Sequence, residues 1–181
     1  MDLRERFYEG SMRELAAAMP QFGAEFAELS LNLAFTYDVQ HSFLSKKMCR
    51  FGLAKSSFNL LLLLRHGPGK GMQLSEIGDL LITSRANITG LVDHLERKGY
   101  VKRVVDTHDR RARLARITKR GETLIEKVIP HHNRECSLLM GHLTPAERQT
   151  LLELLKKVRR SPALVAEAED SELAPVGVNE D

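Results

Sequence analysis

Ser84, Arg85, Asn87 and Thr89 stand within six residues of one another, each with a hydrogen-bonding side chain, at the start of a helical pattern. A guanidinium pairs with guanine, a carboxamide with adenine, and a hydroxyl with phosphates or base edges. Ala86 and Gly90, between and beside them, are small enough to admit a close-lying backbone. A second cluster follows in Lys102, Arg103, Arg110, Arg111, Arg113 and Arg116, interrupted by Asp109. An acid at a phosphate-facing tip is costly unless it orients a neighbouring arginine, and we pair Asp109 with Arg111. Residues 84–120 hold eleven basic side chains against four acids, a local balance of +7. Such a segment suits a polyanion, or else forms a solvated face. No Ser/His/Asp or Cys/His arrangement offers a catalytic centre.

These groups need elements to position them. Ile88, Leu91, Val92 and Leu95 fall at i, i+3, i+4 and i+7, which predicts a helix from an N-cap at Ser84 to a stop at Gly99. Its opposite side carries Ala86, Gly90, Asp93 and Arg97, flanked by Arg85, Asn87, Thr89 and His94. Leu74, Ile77 and Leu81 space a shorter helix before it, and Ile82 is expected as an apolar plug inside the turn. This is a helix-turn-helix pattern. Tyr100–Val105 and Leu114–Ile117 are β-prone and flank a polar tip, giving a charged hairpin. Such a tip reaches along phosphates into the adjoining minor groove, whose narrow A·T form favours arginine.

The rest reads as helix. Phe22, Phe26, Leu29, Leu33, Tyr37, Gln40, Leu44, Met48 and Phe51 make a stripe at steps of four and three, with Leu31, Phe35, Val39 and Phe43 as a second flank. A stripe of that kind wants a helical partner. Residues 3–19 read as a separate short helix ended by Pro20 and Gly23, and Lys55–Arg65 as a compact one carrying five leucines. The run from Gly67 to Gly71 lacks the GxxxxGK[ST] spacing of a phosphate loop and reads as a turn. Thr118 caps a helix to about His142, kinked at Pro130; Thr144-Pro145-Ala146-Glu147 starts a last helix to about Arg159. In that helix Leu151, Leu154, Leu155 and Val158 share a side. The expected class is mostly α, an α+β winged helix-turn-helix lobe with helices at either end.

Composition fits a globular chain: 181 residues, 43% apolar and 28% charged. The longest apolar run, Leu60–Leu64, is far below the roughly 20 residues of a membrane span. Asp2, Arg4, Glu5 and Arg6 stand where a signal peptide would be apolar. Two cysteines make no disulfide scaffold, and a cytoplasmic location is expected. The net charge of +3 conceals an acidic end: residues 161–181 carry six acids and no Lys or Arg, leaving residues 1–160 at +9. We expect that tail to be disordered.

Four motifs occur in order: Leu74-Ser75-Glu76-Ile77-Gly78; Ser84 through Val101; Asp109-Arg110-Arg111; and Ile117-Thr118. Together they resemble the MarR family of bacterial winged-helix transcription regulators over about residues 25–160. The resemblance implies recognition-helix contacts on Ser84–Gly90 and a wing arginine at Arg111 with Asp109. It implies a homodimer formed by the first and last helices, about 22–51 and 119–159, around a winged-helix core of about 53–118. It also implies a repressor or activator released by a small ligand or an oxidant. The expected organisation is an N-terminal extension (1–21), a MarR-like domain (22–160) and the acidic tail (161–181). Two recognition helices in a dimer sit about 34 Å apart and ask for a pseudo-palindromic duplex site.

The family's ligand pockets lie between the dimerisation helices and the DNA-binding lobe, which makes Tyr37, His41 and Met48 candidates for a phenolic or aromatic ligand; packing is the alternative. Cys49, among Lys46, Lys47 and Arg50, is a candidate redox sensor or an unreactive helical cysteine. His132 and Cys136, one helical turn apart, would need His41 or His131 to hold a metal, and no metal or other cofactor is assigned. The competing functional reading is a protein-interaction winged helix whose basic hairpin docks an acidic partner, the chain's own tail included.

Overall fold

Leu60, Leu61 and Leu64 are buried at the centre of the fold, with Leu62 and Leu63 partly covered beside them. They belong to α2 (Lys55–His66), which follows the long α1 (Ala24–Cys49). A two-residue strand β1 (Met72–Gln73) leads into α3 (Leu74–Leu81) and α4 (Arg85–Arg97). The hairpin β2 (Val101–Val105) and β3 (Arg113–Ile117) precedes α5 (Lys119–Met140) and α6 (Pro145–Glu172). This computed structural model describes residues 24–69, 71–106 and 113–172, together with Arg6, Gly10, Ser11, Glu14 and Ala18, which are helical. Most of the expected helix 3–19, the wing tip and the last nine residues lie outside the described residues. The chain divides into two units, Met1–Glu135 and Cys136–Asp181.

In the first unit the periodic residues converge as their spacing demands. Phe58, Ile77, Ile88, Val92, Leu95, Val101, Ala115, Ile125 and Val128 form one cluster with the α2 leucines, Met48 and Leu53. Each fully buried Leu, Ile or Phe contributes about 1.5–3 kcal/mol of transfer free energy. The sheet has the antiparallel order β1-β3-β2, with Met72 opposite Ala115 and Val101 opposite Ile117. β1 is not predicted by local pattern, because it is only two residues long and pairs far along the chain. Gly71 makes that pairing possible: its φ is +107°, and a Cβ there would stand 2.8 Å from the Ala115 carbonyl oxygen.

Thr118 links the wing to α5. Its hydroxyl donates to the Gly99 carbonyl at 2.7 Å and accepts from the Gly121 N–H at 3.1 Å. α5 contains Pro130 without interruption. In the second unit the expected start of α6 is present: the Thr144 N–H donates to Glu147 at 2.7 Å, and the Glu147 N–H to the Thr144 hydroxyl at 3.3 Å. The Thr144 hydroxyl also donates to the Glu147 carboxylate at 2.8 Å, and the bonds from the Thr144 backbone N–H, the larger contribution, and from this hydroxyl hold the exposed carboxyl below its ordinary value. The helix runs on to Glu172, past the stop expected near Arg159, so the first part of the presumed tail is helical. The alanine-, leucine- and glutamate-rich residues 163–169 supply the propensity.

Candidate nucleic-acid interface

The candidate recognition helix α4 is capped at its start and closed at its end, where the Gly99 N–H donates to the Glu96 carbonyl at 2.8 Å. At its start the Ser84 hydroxyl accepts from the Asn87 N–H at 3.3 Å, an N-cap that leaves the neighbouring side chains free to face outward. The preceding α3 opens with a capping box in which the Gln73 N–H donates to Glu76 at 2.9 Å. Between the helices Ile82 takes a left-handed conformation (φ 50°), and the Thr83 N–H returns to the Gly78 carbonyl at 3.0 Å. Ile82 is 92% exposed, so it is not the buried plug that its apolar side chain suggested. The backbone closes this turn, and the left-handed C-cap of α3 carries the side chain into the open.

Ser84, Arg85, Ala86, Asn87, Thr89 and Gly90 are all exposed, whereas Ile88, Val92 and Leu95 are buried beneath them. The side chains differ in readiness. Among the described residues Arg85 has no ion-pair partner, so its whole donor fork is available. The Asn87 amide donates to the Thr83 hydroxyl at 3.5 Å, a weak bond that sets its direction. The Thr89 hydroxyl donates to the Arg85 carbonyl at 3.0 Å and presents an acceptor outward. At Gly90 an added Cβ would meet nothing within 4 Å, so the helix surface is bare there. A cleft of about 600 Å³ lies along this helix and the first turn of α2, lined in part by Ser56, Asn59, Thr83, Asn87 and His94, with no carboxylate in its walls.

The wing corrects one assignment. Arg103 is not a free hairpin cation: its guanidinium bonds Asp93 and Glu96, each at 2.5 Å, and its N–H donates to Glu96 at 2.8 Å. Burial alone would lower its pKa, but the hydrogen bonds and negative charges of Asp93 and Glu96 outweigh that and raise it. Arg103 therefore clamps β2 to α4 and offsets the two acids on the reading helix. Asp93 and Glu96 lie three residues apart on α4, so they share the side that meets the strand. That spacing was the one available signal in the sequence. Arg113 is exposed at the start of β3, opposite Val105. Asp109, Arg110 and Arg111 lie outside the described residues.

The sensor candidates are spread out. The rings of Tyr37 and His41 are 5.5 Å apart on α1, with the Lys55 ammonium 5.1 Å from the Tyr37 ring centre. Met48 is packed in the core, and Cys49 is exposed. His132 stacks on Phe58 at 4.7 Å and His131 tilts against Phe51 at 5.1 Å. Among the described residues no three His, Cys, Asp or Glu side chains gather closely enough to hold a metal ion. No described helix is long and apolar enough to cross a membrane.

This geometry can be set beside known proteins. Residues 51–112 match the model of the MarR family. The HTH-type transcriptional regulator YkoM of Bacillus subtilis is 33% identical over 143 residues, 75% of this chain and 90% of that protein. Sco3205, a MarR family regulator of Streptomyces coelicolor solved in complex with DNA, superposes with a TM-score of 0.70 at 21% identity, covering 76% of this chain and 88% of that one. CouR of Rhodococcus jostii, solved with bound p-coumaroyl-CoA, gives 0.66 at 21% identity over 75% of this chain and 91% of that one. The reading helix, the clamped wing and the match along nearly the whole of YkoM lead to one assignment: the chain belongs to the MarR family of HTH-type transcriptional regulators.

Proposed function

We propose that the protein is a cytoplasmic, homodimeric repressor that binds a pseudo-palindromic DNA operator through α4 and the wing. The observation that carries this is the capped first turn of α4, where Ser84, Arg85, Ala86, Asn87, Thr89 and Gly90 stand exposed on a helix clamped by Arg103. A major groove is wide enough for one helix, and the small Ala86 and Gly90 let its backbone approach the bases. Arg85 and Asn87 read base edges; Asp109, Arg110, Arg111 and Arg113 serve the wing. Sco3205, with the same fold, is a regulator solved on DNA.

Dimerisation rests on unpartnered apolar surface. On α1, Phe26 is 71% exposed and Leu29 61%, with Leu33, Tyr37 and Val39 also open. On α6, Leu151, Leu152, Leu154, Leu155 and Val158 are exposed as well. Soluble monomers rarely carry such contiguous faces, and a second copy of the chain covers them. We assign residues 22–51 and 119–159 to dimerisation and about 53–118 to the DNA-binding lobe. Release follows a phenolic or aromatic ligand recognised through Tyr37, His41 and Met48, or oxidation of Cys49.

Duplex binding measured against salt tests the reading. Log K falls steeply and linearly with log[salt]. Arg111→Ala weakens binding to all sequences alike, and Arg85→Ala or Asn87→Ala also relaxes sequence preference. Three variants that bind like the parent would remove the proposed reading head. Light scattering gives twice the chain mass; a single-chain mass refutes the dimer.

A further inference from the structure

The wing sheet carries a cation pair on the face turned away from α4. Successive strand residues point to opposite faces, so with Arg103 engaged by α4 its neighbour Lys102 projects to the other side. There it stands directly opposite Arg116 in the β2–β3 register. Like charges so placed weaken a strand pair. Among the described residues neither side chain has an acid within ion-pair distance.

Lys102 and Arg116 line a cleft of about 280 Å³ with Arg65 at the end of α2, the Gly67–Gly69 turn, and Lys119 and Glu122 at the start of α5. The nearby acids are already engaged: Glu126 with Arg65 at 3.1 Å and Glu122 with Lys119 at 3.4 Å. Two of the four cations are thus uncompensated, in a cleft below the usual volume of drug-sized pockets. A compact, multiply charged oxyanion would relieve the repulsion and accept from both an arginine fork and an ammonium. The geometry points to a phosphate-binding site between α2, the outer wing face and α5. The phosphate is that of a small phosphorylated molecule or of the DNA backbone; the first source stands without the DNA-binding reading.

Pyrophosphate is the probe for the free ligand. Added to the full chain, it raises the melting temperature beyond sodium chloride at matched ionic strength. Lys102→Gln with Arg116→Gln weakens its apparent affinity by about tenfold per cation removed, while Lys127→Gln, outside the cleft, leaves it unchanged. The double variant itself melts no lower than the parent, since it loses a like-charge pair, and this separates lost binding from misfolding. Salt titration of duplex binding identifies the source. If the double variant keeps the parent's slope but loses pyrophosphate protection, the ligand is a free phosphorylated molecule. If the slope shrinks by about one unit, the phosphate belongs to DNA. Pyrophosphate no better than salt, with the slope unchanged, overturns the proposal.

Discussion

Gly90→Ala separates the demands of folding from those of DNA binding, because the two should move in opposite directions. Gly90 is in the interior of α4, where glycine costs about 0.8–1.0 kcal/mol relative to alanine. A Cβ added there meets no heavy atom within 4 Å, so no steric term cancels the gain in the free protein. The expected stabilisation is about 0.5–1 kcal/mol, or about 1–4 °C in melting temperature for a chain of this size, measured at fixed protomer concentration. If α4 enters the major groove as proposed, the same methyl lies between the helix backbone and the base edges. We expect operator affinity to fall at least tenfold, about 1.4 kcal/mol. The assay is thermal unfolding and fluorescence anisotropy on the same preparation, with a duplex selected from random sequence by the parent protein. A stabilised variant that binds as tightly as the parent would refute the close approach of α4 to the groove. A variant that gains no stability would refute the open environment of Gly90.

Three further outcomes follow from the contacts. Arg103→Gln breaks the clamp between β2 and α4; its partners are half exposed, so solvent screening limits the loss to about 1 kcal/mol in urea unfolding. Operator affinity should fall along with it, because β2 is no longer held against α4 and the charges of Asp93 and Glu96 are left without their counter-cation. Gly121→Ala sets a Cβ against the Tyr100 carbonyl oxygen and 2.9 Å from Ile117, an overpacking expected to cost about 1–3 kcal/mol in the same unfolding experiment. The Glu147 capping contribution has a defined pH sign. Its folded pKa is depressed, so the contribution is fully present above the ordinary glutamate value of about 4.3 and is lost as pH falls through the lower folded value. Amide exchange in the first turn of α6 should quicken in that window, and Glu147→Gln should remove the pH dependence.

The parts legible in the sequence were those set by neighbours in the chain. Ser84, Thr118 and Thr144 announce helix starts because a cap is made within three residues, and Ile88, Val92 and Leu95 show their buried side by period alone. What was missed depends on partners elsewhere. β1 exists because Met72 finds Ala115. Arg103 turns inward because β2 lies against the one side of α4 that carries two acids. Ile82 shows a different failure: hydrophobicity predicts the inside, but the left-handed cap of α3 takes precedence over one side chain. α6 outran its expected end because propensity continues where amphipathic pattern stops.

The Arg103 correction changes how the charge of the reading lobe should be counted. Residues 84–120 carry +7 as a sum, yet Arg103, Asp93 and Glu96 form an internally engaged group of −1. Without that group the segment holds ten basic and two acidic side chains, one of which, Asp106, is buried. That net −1 still belongs to the field, so the total stays at +7. Geometry then subtracts from it, since Lys102 and Arg116 occupy the sheet face away from α4. Counterion release scales with the phosphates neutralised rather than with the cations present. Unless the outer wing face also meets the duplex, the salt slope should fall short of the basic residue count, and that shortfall measures how much of the cationic surface lies outside the DNA path.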